Sequence, residues 1–179
     1  MRKIVLRQAQ KGPIAIQEHK MSPERMEQLQ NAHPDLGMVF TEATEVGKDK
    51  YANGVAILWH TYKHGQSSWG REYWGGRILA VGFIGNEGVT AYMSVYVPPS
   101  DIETVKEAEK AIAEIEKAIG KVEREATLYV GGDFNYQEGN KRVGTYREEI
   151  ETIMAYYGLR SALRWESDTN KQIAPARKE

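Results

Sequence analysis

The chain has 179 residues, of which 41% are hydrophobic and 27% charged, and its formal net charge is −1. This length allows one domain with a sizeable core, and the near-neutral charge excludes a global basic field as the basis of nucleic-acid binding. The absence of cysteine excludes disulfides and cysteine-ligated zinc and fits an intracellular setting. No apolar run approaches the roughly 20 residues needed to span a bilayer.

The first part of the chain predicts short strands around one helix. Residues 3–10 predict the last turns of a helix that stops at Gly12-Pro13. Ser22 is a good N-cap and Pro23 suits the first helical position, so a second helix is expected from there to Pro34. Apolar runs predict strands over 14–18, 38–42 and 54–59, and the polar stretches 43–53 and 60–76 predict loops.

The second part predicts a hairpin followed by two amphipathic helices. Residues 77–83 and 89–97 form the hairpin strands around an Asn86-Glu87-Gly88 turn. Apolar residues at helical spacing from Ile102 to Ile119 predict a helix that ends at Gly120. A strand over 127–131 follows, and then a helix with a stripe made by Ile150, Ile153, Met154 and Tyr157.

This order predicts an α/β sandwich with a mixed sheet. We expect a single domain over residues 1–168, followed by a poorly ordered polar tail over 169–179.

Polar side chains leave apolar runs at three predicted strand ends. Glu18 follows the first strand, Tyr96 ends the second hairpin strand, and Asp133 and Asn135 follow the Gly131-Gly132 pair. In extended backbone Asp133 and Asn135 would point to the same side, where a metal-bound phosphate or an attacking water would suit them. Each feature also has an ordinary interpretation: an Asx turn, a surface glutamate, and a core tyrosine with a hydrated hydroxyl.

Taken together, these segments resemble the endonuclease/exonuclease/phosphatase superfamily. Residues 16–20 (Ile-Gln-Glu-His-Lys) resemble its metal-binding Leu-Gln-Glu-Thr-Lys motif, and residues 54–58 resemble its next strand. Gly76-Arg77-Ile78 resembles its Gly-Arg strand opening, Tyr96-Val97-Pro98-Pro99 its Tyr-x-Pro motif, and Gly132-Asp133-Phe134-Asn135 its Gly-Asp-Phe-Asn motif. Each motif is weak alone, but the five occur in the family's order over residues 20–165, and 95–100 and 131–135 lean toward the endonuclease domains of non-LTR retrotransposons.

The resemblance implies a role for each matching residue. Glu18 would bind a divalent metal, Mg²⁺ or alternatively Mn²⁺, and Asp133 would orient or activate the attacking water. Asn135 would hold the scissile phosphate, and Tyr96 would contact it or the developing charge. The expected partner is DNA, with RNA as an alternative and no membrane. A retroelement enzyme would act inside the cell, in the nucleus, within a larger polyprotein that includes a reverse transcriptase.

Two family motifs have no counterpart in the chain. No Asn precedes Asn31, so the opening Asn-x-Asn-Gly strand is missing, and Ser167-Asp168-Thr169 lacks the histidine of the closing Ser-Asp-His motif. None of the four histidines lies at that position. We therefore expect an internal portion of the domain or a decayed copy, with a large loss of catalysis, because groups that act as a unit fail together.

Three functions remain open at this point: a DNA-nicking phosphodiesterase, a phosphomonoesterase or inositol/lipid phosphatase of the same superfamily, and a non-catalytic binding or remnant module. The segment from Tyr62 to Trp74 slightly favours nucleic acid as the substrate, because its cations could contact phosphates and its aromatic rings could stack on bases. An exposed loop with partly buried tryptophans explains it about as well. The candidate contacts are Lys63, His64, Trp69, Arg71 and Trp74.

Overall fold

The computed structural model of the protein describes residues 7–48, 50–98, 105–135 and 144–159. The predicted tail 169–179 and the Ile102 end of the helical stripe lie outside these residues. The strands are β1 (Ile14–Ile16), β2 (Leu36–Phe40), β3 (Thr44–Gly47), β4 (Lys50–Ala52), β5 (Ala56–His60), β6 (Trp69–Trp74), β7 (Ile78–Gly85), β8 (Gly88–Tyr96) and β9 (Thr127–Asp133). The helices are α1 (Pro23–Ala32), α2 (Thr61–His64), α3 (Val105–Val122) and α4 (Gly144–Tyr156).

Two sheets form the centre of the fold. The first has the order β1-β5-β2 with antiparallel neighbours, and the second has the order β6-β7-β8-β9. In the second sheet β8 and β9 are parallel, whereas the other neighbours are antiparallel. The predicted mixed sheet is therefore confirmed. The parallel pair follows from the long connection through α3, since a tight hairpin can join only antiparallel strands.

The two sheets pack face to face and helices cover their outer faces. Alternating apolar residues of β5, β7 and β8 fill the space between the sheets, with Trp59, Val81 and Phe83 among them. The stripe of α3 packs on the outer face of the second sheet, and Met26 of α1 packs on the outer face of the first. The result is the predicted α/β sandwich. In the part of the chain that is described, no helix has the length and apolarity needed to cross a membrane.

Both predicted loops contain regular structure, so those two predictions are wrong. The antiparallel pair β3-β4 lies within 43–53, and α2 and β6 lie within 60–76. All four residues of β3 are exposed, and β6 is an edge strand with exposed Arg71 and Glu72. Strands with so little burial carry no alternating apolar pattern, and that pattern is what identifies a strand in sequence.

The prediction that the helix ends at Gly120 is also wrong, because α3 continues to Val122. A Cβ at Gly120 would lie 2.6 Å from the Tyr157 hydroxyl. This glycine therefore makes room for an aromatic side chain that follows α4, and does not stop the helix.

Candidate active site

The carboxyl ends of β1, β8 and β9 meet at one end of the sandwich, which we call the site end. The Gln17 side chain, just after β1, donates from Nε2 to the buried Ser94 hydroxyl of β8 at 3.0 Å. Along the parallel pair, Val95 lies opposite Gly132 and Tyr96 lies opposite Asp133. The three predicted positions Glu18, Tyr96 and Asp133 therefore come together at the site end.

The Glu18 carboxylate lies at the centre of this group, and each of its two oxygens contacts another side chain. Glu18 Oε1 accepts a hydrogen bond of 2.8 Å from the Tyr96 hydroxyl, and Oε2 lies 3.3 Å from Lys20 Nζ. The Glu18 side chain is 38% exposed, so solvent still reaches it. Each carboxylate oxygen has two lone pairs, and one on each remains available for a further ligand.

Tyr96 remains a hydrogen-bond donor at neutral pH. Burial, the hydrogen bond to Glu18 and the charge of Glu18 raise the pKa of Tyr96 to about 12, and Asp133 adds to the rise while Arg77 opposes it. The Tyr96 hydroxyl therefore stays protonated, and it donates its hydrogen to the Glu18 carboxylate.

Asp133 and Asn135 form the tight turn that ends β9. The Asn135 N–H donates to Asp133 Oδ1 at 2.9 Å, and Asn135 Nδ2 donates to the Val97 carbonyl at 2.7 Å. Asn135 has a φ of 45°, so this segment adopts the Asx turn that was one interpretation of the sequence, and not extended backbone. Asp133 itself is exposed, while Phe134 packs against the core and anchors the turn.

A buried cation lies behind Tyr96. The Arg77 guanidinium carbon is 5.7 Å from the centroid of the Tyr96 ring and 5.2 Å from that of Trp74. Its Nη2 pairs with Glu107 Oε2 of α3 at 3.0 Å, and its side chain is only 13% exposed. Arg77 thus packs against the ring face of Tyr96 and has little contact with solvent.

The five predicted nucleic-acid contacts do not form one patch. Lys63 and His64 follow His60, which lies at the opposite end of β5 from Ala56, the residue that pairs with Ile16. Trp69 pairs with Gly82, again away from the site end, and Arg71 lies 4.7 Å from the Trp69 ring and pairs with Glu125 at 2.9 Å.

Trp74 pairs with Ile78 and is the one of the five that lies at the site end. Contact of any of them with nucleic acid stays a prediction.

The donor atoms at the site end fit a hard divalent cation. Glu18 and Asp133 supply carboxylate oxygens and Asn135 an amide oxygen, and the sequence contains no cysteine thiolate that would favour a softer metal. Within the described residues, no three His, Asp or Glu side chains cluster closely enough to hold a metal by themselves. Mg²⁺ is commonly held by one or two carboxylates with water and substrate phosphate in its remaining positions, so this small set is compatible with it.

Sequence reasoning missed the residues that support the site. The Gln17–Ser94 contact and the position of Arg77 behind Tyr96 depend on strands far apart in sequence, for which local pattern gives no signal. His19 was considered only as one residue of the 16–20 motif, yet its ring contacts Thr41 and Met21. Burial lowers the pKa of His19, and the hydrogen bond to Thr41 raises it less.

No protein-family profile matches the chain, and no curated protein matches it. Among solved structures, D. rerio TDP2 humanized by 14 mutations is 14% identical, with a TM-score of 0.52, over 90% of this chain and 59% of that one. D. rerio TDP2 complexed with single strand DNA product is 15% identical, with a TM-score of 0.49, over 84% and 53% of the two chains. The endonuclease domain of TRAS1, a telomere-specific non-LTR retrotransposon, is 13% identical, with a TM-score of 0.46, over 78% and 70%.

The match to humanized TDP2 establishes the fold. The chain has an endonuclease/exonuclease/phosphatase-type α/β sandwich, as its motifs predicted. It spans 59% of the length of that TDP2 chain.

Proposed function

We propose that this chain is a metal-dependent phosphodiesterase module that nicks DNA. The observation that carries the proposal is the convergence of Tyr96, Glu18 and Asp133 at the site end, with the Tyr96 hydroxyl 2.8 Å from Glu18 Oε1. A fold of the same type in TDP2 supports hydrolysis as the class of reaction.

Glu18 would hold Mg²⁺ together with substrate phosphate and water. When bound, the cation would neutralise phosphoryl charge and lower the pKa of a coordinated water. Lys20, whose Nζ lies 3.3 Å from Glu18 Oε2, adds a positive charge that favours an anionic substrate.

The remaining chemistry belongs to the side chains. Asp133 is the exposed carboxylate that would accept a proton from the attacking water as the new phosphorus–oxygen bond forms. The phosphorus–oxygen bond to the leaving strand end would break at the same time, and the departing alkoxide would take its proton from solvent water. Asn135 Nδ2 has a second hydrogen beyond the one given to Val97, and this hydrogen would be donated to a phosphate oxygen. The protonated Tyr96 would release its hydrogen bond to Glu18 and donate to the same charge as that charge develops in the transition state, where stabilisation contributes most to the rate.

DNA is preferred over a small phosphate ester for two reasons. Residues 95–100 and 131–135 lean toward retroelement endonucleases, and the partly exposed ring of Trp74 at the site end has the exposed Lys110 Nζ 5.9 Å from its centroid. Aromatic rings beside cations suit a polynucleotide, because bases can stack while phosphates are neutralised.

The test compares substrates and one variant. Supercoiled plasmid, an inositol phosphate and p-nitrophenyl phosphate are incubated with the chain and Mg²⁺, alongside Asp133→Ala. We expect slow nicking of plasmid, because two of the family's motifs have no counterpart in the chain. The variant should lower this rate by a further factor of about 10²–10⁴, the usual contribution of a general base. Faster turnover of the phosphomonoesters would assign the phosphatase function instead, and no Mg²⁺-dependent turnover of any substrate at high protein concentration would assign a non-catalytic module.

A further inference from the structure

The backbone on either side of His19 has an unusual conformation. Glu18 has a φ of 49° and Lys20 a φ of 51°, both in the left-handed region that residues with a Cβ seldom adopt. Such conformations cost free energy and persist only where the surroundings hold them. The Glu18 backbone, and with it the direction of its carboxylate, must therefore be held by other contacts.

The His19 imidazole makes those contacts in one defined tautomer. Its Nδ1 accepts from the Met21 N–H at 3.2 Å, and its Nε2 lies 3.0 Å from the Thr41 carbonyl oxygen. A backbone N–H can only donate and a carbonyl can only accept. His19 is therefore the neutral tautomer with its hydrogen on Nε2.

The His19 imidazole also packs against Gly54, a position that no residue with a Cβ could occupy. A Cβ at Gly54 would collide with the imidazole, and Gly54 has a φ of 83°. The His19 N–H donates to the Gly54 carbonyl at 3.1 Å and the Lys20 N–H to the Asn53 carbonyl at 3.3 Å. Through one side chain and two backbone bonds, the loop after β1 is fixed to the end of β2 and to the turn before β5.

We propose that His19 is a positioning residue that holds Glu18 in its left-handed backbone and so aims the Glu18 carboxylate at Tyr96 and the metal position. The inference rests on the proposed function for the metal, but the backbone conformation and the tautomer can be measured without it. An ordinary packed histidine would contribute to folding alone, and its replacement would not change metal affinity.

Variants of His19 remove its two side-chain hydrogen bonds, to Thr41 and to Met21, separately or together. His19→Gln keeps an amide that can donate to the Thr41 carbonyl, His19→Asn keeps an acceptor near Met21 but is too short to reach Thr41, and His19→Leu removes both. His60→Gln is the matched control, because His60 is half-buried, pairs with Asp35 at 3.3 Å, and lies at the opposite end of the same sheet.

Three measurements on the ¹⁵N-labelled full chain test the proposal. Long-range ¹H–¹⁵N spectra should find hydrogen on Nε2 of His19, and strong intraresidue HN–Hα NOEs should mark positive φ at Glu18 and Lys20. These NOEs should survive in His60→Gln and disappear in His19→Leu. Titration with Mg²⁺, followed through the amide shifts of Glu18 and Asp133, should show affinity weakened about 10–100-fold in His19→Leu, the usual effect of losing a partner behind a ligand. His19→Gln should lie between the wild type and His19→Leu.

The outcomes distinguish the two proposals. If Mg²⁺ shifts neither amide in the wild type, the metal function fails, and the NOEs still decide the role of His19. Hydrogen on Nδ1, retention of positive φ in His19→Leu, or equal Mg²⁺ affinity in His19→Leu and wild type would overturn the positioning role.

Discussion

The Tyr96 hydroxyl donates a hydrogen bond of 2.8 Å to Oε1 of Glu18, and thereby joins the last residue of β8 to the loop after β1. These residues are 78 positions apart in the chain. Their contact makes the two central sheets meet at the candidate metal position, so the stability of the sandwich and the geometry of the site depend on the same bond.

Tyr96→Phe should therefore affect both properties. Removing the hydroxyl should lower the free energy of unfolding by about 1–2 kcal/mol, since a bond to a charged group is lost but Glu18 remains partly hydrated. The rate of Mg²⁺-dependent nicking should fall by about 10²-fold through loss of a donor to the developing charge. Urea unfolding and plasmid nicking check the two effects.

Tyr92→Phe is the control for that substitution. Tyr92 lies on the same strand and stacks on Tyr129, with ring centroids 5.3 Å apart. If Tyr92→Phe reduces nicking as much as Tyr96→Phe does, the Tyr96–Glu18 bond has no special part in the reaction.

Gly132→Ala should disrupt the end of β9. A Cβ there would overlap the Val95 carbonyl and side chain, so the parallel pairing that carries Asp133 would have to separate. We expect a loss of about 1–3 kcal/mol or more in unfolding free energy, the range for overpacking. At neighbouring Gly131, a Cβ would lie 3.7 Å from the Ala15 Cβ, an ordinary contact, so Gly131→Ala should cost much less. Equal denaturation midpoints for the two variants would contradict this account.

Ser94→Ala tests the bridge between the sheets. The fully buried Ser94 hydroxyl accepts from Gln17 Nε2 and donates to the Ile16 carbonyl at 3.4 Å. Its removal should cost about 1–3 kcal/mol, because both partners lose a hydrogen bond, and should weaken Mg²⁺ binding by loosening the loop that carries Glu18.

Ser68→Ala is the matched control for the bridge. Ser68 Oγ donates to the Gly82 carbonyl at 2.9 Å, away from the site end. This variant should lose stability without a change in the Mg²⁺ midpoint of nicking. A shift of that midpoint by Ser68→Ala and none by Ser94→Ala would refute the proposed coupling.

The sequence predicted the buried parts of the fold well, because burial leaves a pattern. The segments that form β5, β7 and β8 are continuous apolar runs in the sequence. The order of the five motifs correctly indicated the fold. Strands β3 and β6 were missed because an exposed pair and an edge strand bury too little to show alternation.

The sequence predicted which residues form the candidate site but not how those residues are arranged. Glu18, Tyr96 and Asp133 do meet, as expected for strand ends, but the left-handed backbone at Glu18 and the Asx turn at Asp133 are tertiary outcomes. They depend on His19 and Val97, whose partners are set by chain segments that only folding brings together. Lys63 and His64 follow the far end of β5, away from the site end, and their contact with nucleic acid stays a prediction.

The most direct test of the central claim is nicking of supercoiled plasmid by the chain in Mg²⁺, by Asp133→Asn, and by Asp35→Asn as a carboxylate control away from the site end. We predict open circles from the wild type and from Asp35→Asn, none in EDTA, and a rate about 10²–10⁴-fold lower for Asp133→Asn. Nicking that persists in EDTA, or that Asp133→Asn performs as fast as the wild type, would contradict metal-dependent hydrolysis at this site.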